Sequence, residues 1–359
     1  MTPTASHLRR GIGPQLRNEK PVNRHQSCQT TSGREAEANE PKDADGSTPT
    51  VSVVIPTYDR PDMLAEAIES VLNQTYDPVE LVVVDDGSPT SARPVVESLA
   101  ENAVFHRFDH NRGANVARNE GIRRSSGEYV AFLDDDDRWE PRKLARQVEV
   151  LEADDDIGVS YTGQRSSDER TNVTRELPSI TGDATRELFA RRYVITFSCL
   201  LVRREAIHAA GYPDPELPIL QDREWLLRLS QHTKFAAIED PLVFRGVGDH
   251  DQISDRYEEL RDVAYPRIYA RHRRAAGDIG LRCRLQFKAS LLAWIGSLAL
   301  YTGRYRDARW YLFIAFCQWP FSVDVLLRLF VSLGGNSTYK AGQSIRNTLQ
   351  RMRSAWTRS

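Results

Sequence analysis

Lysine is nearly missing from this chain of 359 residues: 6 lysines stand against 42 arginines, and the formal net charge is −2. A balance so close to neutral offers no global field to a polyanion, so no nucleic-acid partner is expected. Cysteine is scarce as well. Cys28, Cys199, Cys283 and Cys317 lie far apart and match no metal-ligand spacing. They fit a reducing compartment better than a disulfide framework. No run of about 18 consecutive apolar residues occurs, so no transmembrane helix is expected. The first residues lack the apolar segment of a secretory signal. These absences point to a cytoplasmic protein, with room for peripheral contact at the cytoplasmic face of a membrane.

What is present begins after a polar opening. Residues 1–48 are rich in Arg, Asn, Gln, Glu, Pro and Ser and bury too little apolar area to offset chain entropy, so a disordered tail is expected. From Val51 the pattern changes. Val51-Ser52-Val53-Val54-Ile55 reads as a buried strand, and Pro61 opens a helix whose apolar positions run through Leu72. Leu81 to Val84 is a second strand, ending in Asp85-Asp86-Gly87-Ser88. The alternation continues with a helix over Ala92 to Leu99, a strand over Ala103 to Phe108, a helix over Ala114 to Arg124 and a strand over Tyr129 to Leu133. A helix after Pro141 and a short strand over Ile157 to Tyr161 follow. Such alternation predicts an α/β, Rossmann-like, mostly parallel sheet with helices on both faces.

Four carboxylates, Asp134 to Asp137, follow the apolar run Tyr129 to Leu133 directly. They repel one another unless they share a cation. Carboxylate oxygens suit Mg²⁺ or Mn²⁺, which complete their shells with water and phosphate oxygens. Ligands of open α/β sheets sit at the carboxyl ends of strands, where these acids lie. A solvated acidic loop is the plainer alternative.

Six ordered motifs carry a family resemblance. They are V-S-V-V-I-P-T-Y-D-R, V-V-V-D-D-G-S, N-R-G-A-N-V-A-R-N-E-G-I, Y-V-A-F-L-D-D-D-D-R-W, G-Y-P-D-P-E-L and Q-D-R-E-W-L-L-R-L. Val51 to about Ser254 resembles an inverting nucleotide-sugar glycosyltransferase of family 2, with the GT-A fold. The resemblance implies that Pro56, Thr57, Tyr58 and Asp59 hold the base and ribose of the donor. It implies that Asp85 or Asp86 accepts a hydrogen bond from them. Arg118 falls at the position near the donor phosphates, the alternative being a pair with a local carboxylate. Asp134, Asp135 and Asp136 match the DXD-type motif. Asp136 is the expected metal ligand, for Mn²⁺ or Mg²⁺, Asp134 contacts sugar or ribose, Asp135 fills the variable middle position, and Asp137 braces the loop. Asp222 matches the general base, preceded by Gln221 where the family has Glu; a helix cap is the alternative for Asp222. His250, in a polar loop, is a candidate third metal ligand or phosphate donor, or a lone surface histidine.

The expected organisation is a glycosyltransferase domain over 49–255, with a donor half 49–161 and an acceptor half 162–255. Phe197 to Val202 reads as a strand there, followed by a helix and a break at Gly211. A helical region over 256–335 and a polar tail over 336–359 complete the chain. Ala289 to Leu300 is an apolar run too short to span a bilayer. The aromatics around it suit either a small helical bundle or an interfacial membrane contact. The expected activity is metal-dependent inverting transfer of a sugar from a nucleoside diphosphate to a hydroxyl or phosphate of a glycan or lipid-linked acceptor. Two other functions share the broad fold. A sugar-nucleotide pyrophosphorylase would need a glycine-rich loop where Pro56-Thr57-Tyr58 stands. A non-catalytic sugar-nucleotide-binding scaffold would not need to keep both Asp136 and Asp222.

Overall fold

The structure is a computed structural model that describes residues 48–168, 171–175, 180–191, 195–246 and 256–334, with side chains described outside 166–175. The expected tails, apart from Thr48, and His250 lie outside the described residues.

The first half alternates as its sequence pattern dictates. β1 (Val51–Thr57), β2 (Val79–Asp85), β3 (Val104–Arg107) and β4 (Tyr129–Phe132) are joined by α1 (Pro61–Leu72), α2 (Arg93–Leu99) and α3 (Ala114–Arg124). All four strands are parallel, in the order β3-β2-β1-β4. β1 and β4 are buried along their whole length, which is why they read as continuous apolar runs rather than alternating ones. The register sets Thr57 beside Asp85, and Leu133 N donates to Val54 O at 3.0 Å. The loops after β1, β2 and β4 therefore leave the sheet from one edge. Chain order reverses on either side of β1, and such a switch point opens a crevice at the carboxyl ends of the strands.

The second half extends the sheet with antiparallel partners. β5 (Asp137–Trp139), α4 (Lys143–Glu152), β6 (Ile157–Asp168), β7 (Thr171–Arg175), α5 (Thr185–Ala190), β8 (Leu200–Arg203), α6 (Arg204–Ala210), α7 (Gln221–Leu229) and β9 (Lys234–Arg245) follow in order. β8 joins antiparallel to β4 and β6, β9 runs parallel to β6, and β5 lies antiparallel on β9. Phe197, Ser198 and Cys199, expected in a strand, form a 3₁₀ turn before β8. That turn lifts Ser198 against the acidic segment after β4, where a straight strand would not reach.

The C-terminal region is helical, as expected. Tyr257–Glu259 (α8) passes through a π-helical stretch, Leu260–Ala264, into α9 (Tyr265–Ile279). α10 (Leu281–Tyr301), α11 (Tyr305–Gln318) and α12 (Val323–Leu333) follow. α10 packs on α5, α9 and α11, and its Phe287, Leu291 and Ile295 join the core shared with the sheet domain. No helix among the described residues is long and apolar enough to cross a membrane.

Candidate active site

The acidic turn after β4 sorts its four carboxylates by alternation. Asp135 and Asp137 are buried, whereas the side chains of Asp134 and Asp136 keep 30% of their surface exposed. Asp135, expected at the donor, points inward and braces the first loop. Its Oδ2 accepts from Thr57 Oγ1 at 2.8 Å, and Arg60 Nη1 donates to its Oδ1 at 3.0 Å. Asp137 Oδ1 accepts from Gly246 N at 3.1 Å. Burial, with the charges of Asp134 and Asp136, pushes the Asp137 carboxyl well above the usual range. Gly246 must be glycine, because a Cβ there would lie 2.0 Å from Asp136 O. The end of β9 is thus pressed against the acidic turn.

Asp136 is the outward acid with the fewest obligations. Its one side-chain contact among the described residues is Arg60 Nη1 at 3.4 Å. Burial raises its pKa, and so do the charges of Asp134 and Asp135. A divalent cation would relieve that repulsion. No cluster of three or more metal-ligating side chains stands ready among the described residues.

The loop after β1 lies beside this turn. Asp59 adopts φ 55°, a strained conformation for a residue with a Cβ. Asp59 N donates to Ser88 Oγ at 3.0 Å. Tyr58 leaves 43% of its surface exposed, so a ring face is open. Asp85 and Asp86 are buried and serve the loops themselves. Asp85 accepts from Ser88 N at 2.8 Å and Ala92 N at 3.0 Å. Asp86 accepts from Arg112 N and Gly113 N, each at 2.8 Å, and so fixes the entry to α3. Burial raises the Asp86 pKa, against those two amides. Gly87, at φ 78°, passes so close to His110 that a Cβ would meet its carbonyl carbon at 2.4 Å.

α3 ties the two halves together. Asn115 Nδ2 donates to Asp214 O at 2.8 Å and Asn119 Nδ2 to Pro213 O at 2.9 Å, which anchors the turn before α7. Arg118, between them, is buried over the Phe197 ring at 4.1 Å. It donates to Asp134 Oδ1 at 2.5 Å, Asn115 Oδ1 at 3.1 Å and Gln221 Oε1 at 3.4 Å. Phe132, Phe197 and Trp225 pack beneath it with centroids 5.4–5.7 Å apart.

Asp222 enters the same cleft from the first turn of α7. The N-cap residue is Leu220, at φ 60°. Asp222 therefore sits inside the helix, and its carboxylate accepts only from Arg223 N, at 2.7 Å, among the described residues. Burial raises its pKa, offset by that amide and the Arg118 and Arg245 charges, with Asp134 pushing it up. Arg118, Asp134, Gln221, Asp222 and Arg245 all line one cleft of about 1040 Å³. α7 is locked from behind. Glu224, fully buried, accepts from Arg228 Nε at 3.0 Å, Arg271 Nη1 at 2.9 Å and pairs with His272 Nε2 at 3.0 Å. Ser198, Arg245 and Gly246 carry no local sequence signal, whereas Arg60 lies inside the first motif and Glu224 and Arg228 inside the last, both of which hold assigned residues.

A mixed sheet with acid-lined loops at the carboxyl ends of its parallel strands serves many ligand-binding proteins, and the comparisons narrow the class. Residues 52–211 match Glycosyl transferase family 2. A glycosyltransferase of Haemophilus influenzae is 30% identical over 200 residues, 54% of this chain and 67% of that one. TuaG of Bacillus subtilis, whose name places it in teichuronic acid biosynthesis, is 37% identical over 118 residues, 32% of this chain and 46% of its own. The chain belongs to glycosyl transferase family 2. It spans less than half the length of the first curated relatives it matches. Among solved structures, residues 1–349 of TarS from S. aureus align with TM-score 0.57 at 18% identity, covering 83% of this chain and 92% of that one. A mannosyltransferase of Pyrobaculum calidifontis, in complex with GDP-Man and Mn²⁺, aligns with TM-score 0.55 at 19% identity, covering 87% and 88%. At these identities the likeness is one of fold.

Proposed function

We propose that this protein is a metal-dependent inverting glycosyltransferase that moves a sugar from a nucleoside diphosphate to an acceptor hydroxyl or phosphate in glycan assembly. The observation that carries the reading is the meeting of Arg118, Asp134 and Asp222 in one cleft, with Asp136 beside them at the carboxyl edge of the sheet. Tyr58 offers its exposed ring to the base, and Pro56, Thr57 and Asp59 shape the loop around it. Asp85 holds that edge from within. Asp86 keeps free lone pairs after its two amide bonds and accepts from base or ribose. Asp134 contacts the sugar, and Asp135 holds the loop in place from behind. Asp136, with His250 as a second candidate, would hold Mn²⁺ or Mg²⁺. When bound, the ion neutralises the charge that develops on the departing diphosphate. Asp222 takes the proton of the attacking acceptor group, and its raised pKa makes it a stronger base than an ordinary aspartate. One displacement, with base and leaving group on opposite sides of the anomeric carbon, inverts the configuration.

The C-terminal helices present an apolar face to solvent. Trp310 and Phe313 on α11, and Val323, Leu327 and Phe330 on α12, are all exposed. With Arg306 and Arg309 beside them, these residues suit a peripheral contact with a membrane interface. The decisive experiment is donor turnover across a panel of nucleotide sugars with Mn²⁺, Mg²⁺ or excess EDTA. Turnover of one donor, lost in EDTA, is expected. Full activity in EDTA would remove the metal from the scheme, and no turnover of any donor would remove the activity.

A further inference from the structure

The cleft does not end at Asp222. It runs on to a wall built from α10, α12 and the turn between α11 and α12. Arginines outnumber acids along it: Arg118, Arg191, Arg223, Arg245, Arg282 and Arg328 line it against Asp134, Asp222 and Asp324. Part of this charge is already matched. Arg118 holds Asp134 at 2.5 Å and Arg328 holds Asp324 at 2.8 Å. The Arg245 charge acts on Asp137 and Asp222. Arg223 is buried beside the Asp222 charge, with Nη2 donating to Ser290 Oγ of α10 at 2.7 Å, while its Nε and Nη1 have no hydrogen-bond partner among the described residues. Arg191, which ends α5, and Arg282, in the first turn of α10, are exposed and form no ion pair among the described residues. Arg282 lies over the Trp319 ring at 5.0 Å, and Trp319 meets Phe321 edge to face at 5.1 Å. Phe321 is 77% exposed at the mouth of the cleft.

We infer that this far half of the cleft binds a phosphate carried by the acceptor, with Arg191 and Arg282 as its counter-charges and Trp319 and Phe321 covering the adjoining apolar group. The inference deepens the proposed transfer reaction and rests on it for the direction from which the acceptor enters. A neutral glycan would leave the charge of both guanidinium groups to solvent and, for Arg282, to the Trp319 ring. A phosphate ester satisfies both with charge-assisted hydrogen bonds, for which the guanidinium fork is well shaped. The proposed reaction assigns the donor diphosphate to Asp136, which is not among the residues that line this cleft. Phe321 continues into the exposed apolar face of Val323, Leu327 and Phe330, which favours a phosphate presented on a lipid over one in a polyol-phosphate polymer.

The test uses the full chain and the fluorescence of Trp294 and Trp319, both in the cleft lining. Three probes are titrated: farnesyl phosphate, a glycerol phosphate oligomer and farnesol. At least one phosphate probe should bind, more weakly in high salt. Its Kd should rise about tenfold or more in the double variant Arg191→Gln, Arg282→Gln, the worth of one lost charge-assisted contact. The double lysine variant, which keeps the charge but not the fork, should fall between. Tighter binding of farnesyl phosphate assigns a lipid-borne acceptor, and tighter binding of the oligomer a polymeric one; both support the site. Binding of neither phosphate, equal binding of farnesol, or an unchanged Kd in the glutamine variant would overturn it. Titration of the parent with UDP and GDP reads the donor site separately. Failure there strikes the transferase reading, and failure of the phosphate probes alone strikes only the acceptor site.

Discussion

Glu224→Gln is the substitution that most directly tests how the C-terminal helices hold α7, which carries the proposed base Asp222. Glu224 lies two residues after Asp222 and is fully buried among Arg228, Arg271 and His272. Burial alone would raise its pKa. The hydrogen bonds from His272, Arg228 and Arg271, with the Arg228 charge, outweigh that and bring it to about 2 from 4.5. At ~1.36 kcal/mol per pH unit, this drop makes the ionised form worth roughly 3 kcal/mol of folding free energy. Glutamine keeps the shape but leaves Arg271 and Arg228 facing a neutral amide. Breaking a buried ionic cluster in this way costs about 3–5 kcal/mol, in agreement. For a domain of this size that is a fall of very roughly 6–15 °C in Tm. The pH dependence has a defined sign. A carboxylate with a depressed folded pKa stabilises fully above 4.5 and loses that contribution as pH falls through about 2. Thermal unfolding followed by circular dichroism, for parent and variant between pH 7 and pH 3, should show a wide Tm gap that narrows below pH 4.5. A gap of only a degree or two at pH 7, or one that stays constant as the pH falls, would refute the argument.

Asp222→Asn should lower single-turnover transfer by ~10²–10⁴ with little change in donor affinity, and near-parent turnover would mean that the base lies elsewhere. Since burial raises the Asp222 pKa, the acid limb of the parent's pH–rate profile should lie above the ordinary aspartate range and vanish in the variant. Asp136→Asn should abolish metal-stimulated turnover, because an amide replaces a charged ligand; retained Mn²⁺ stimulation counts against the assignment. Lys143 is fully buried over the Trp139 ring, and burial lowers its pKa to about 7. The unfolded chain therefore binds the extra proton between about pH 7 and 10.5, and stability should rise with pH across that window. Lys143→Met should remove this slope, as read from denaturant midpoints at pH 7 and 9.5, while the loss of the Lys143 Nζ bond to buried Gln147 Oε1 at 2.6 Å offsets the relief of burying a charge.

Much of the donor half was legible because its strands are buried on both faces. β1, β2 and β4 read as unbroken apolar runs, and α3 falls on Ala114–Arg124 as the pattern predicts. The second half hid its pairing. β5 begins at Asp137, the last of four identical residues that read as a loop, and is a strand through its antiparallel pairing with β9, where Asp137, Arg138 and Trp139 face Arg245, Phe244 and Val243. β9 carries Glu239, Asp240 and Pro241 in its middle and absorbs them through register shifts against β6. Four consecutive aspartates carry no internal mark of which face inward. That follows from Thr57 and Arg60 taking Asp135, and Gly246 taking Asp137. The Glu224 network is beyond local pattern as well, since Arg271 and His272 stand 47 and 48 residues away from it.

Arg118 shows how the departure at Gln221 fits the rest of the site. The arginine is buried, so its charge must be answered within reach, and it has two candidates: Asp134 after β4 and position 221 on α7. A glutamate at 221 would compete with Asp134 for the guanidinium and draw it towards α7. Gln221 holds Arg118 only at 3.4 Å, while its own Nε2 donates to Leu217 O at 2.7 Å. The neutral amide thus links α7 to Arg118 without discharging it. The guanidinium stays committed to Asp134, on the side where we place the donor phosphates. Asp222 is spared a like-charged neighbour at position 221, and its proton affinity is raised by burial and by Asp134 against the Arg223 amide and the Arg118 and Arg245 charges. A single uncharged side chain in the motif therefore separates the two charge centres that the proposed reaction needs to keep distinct.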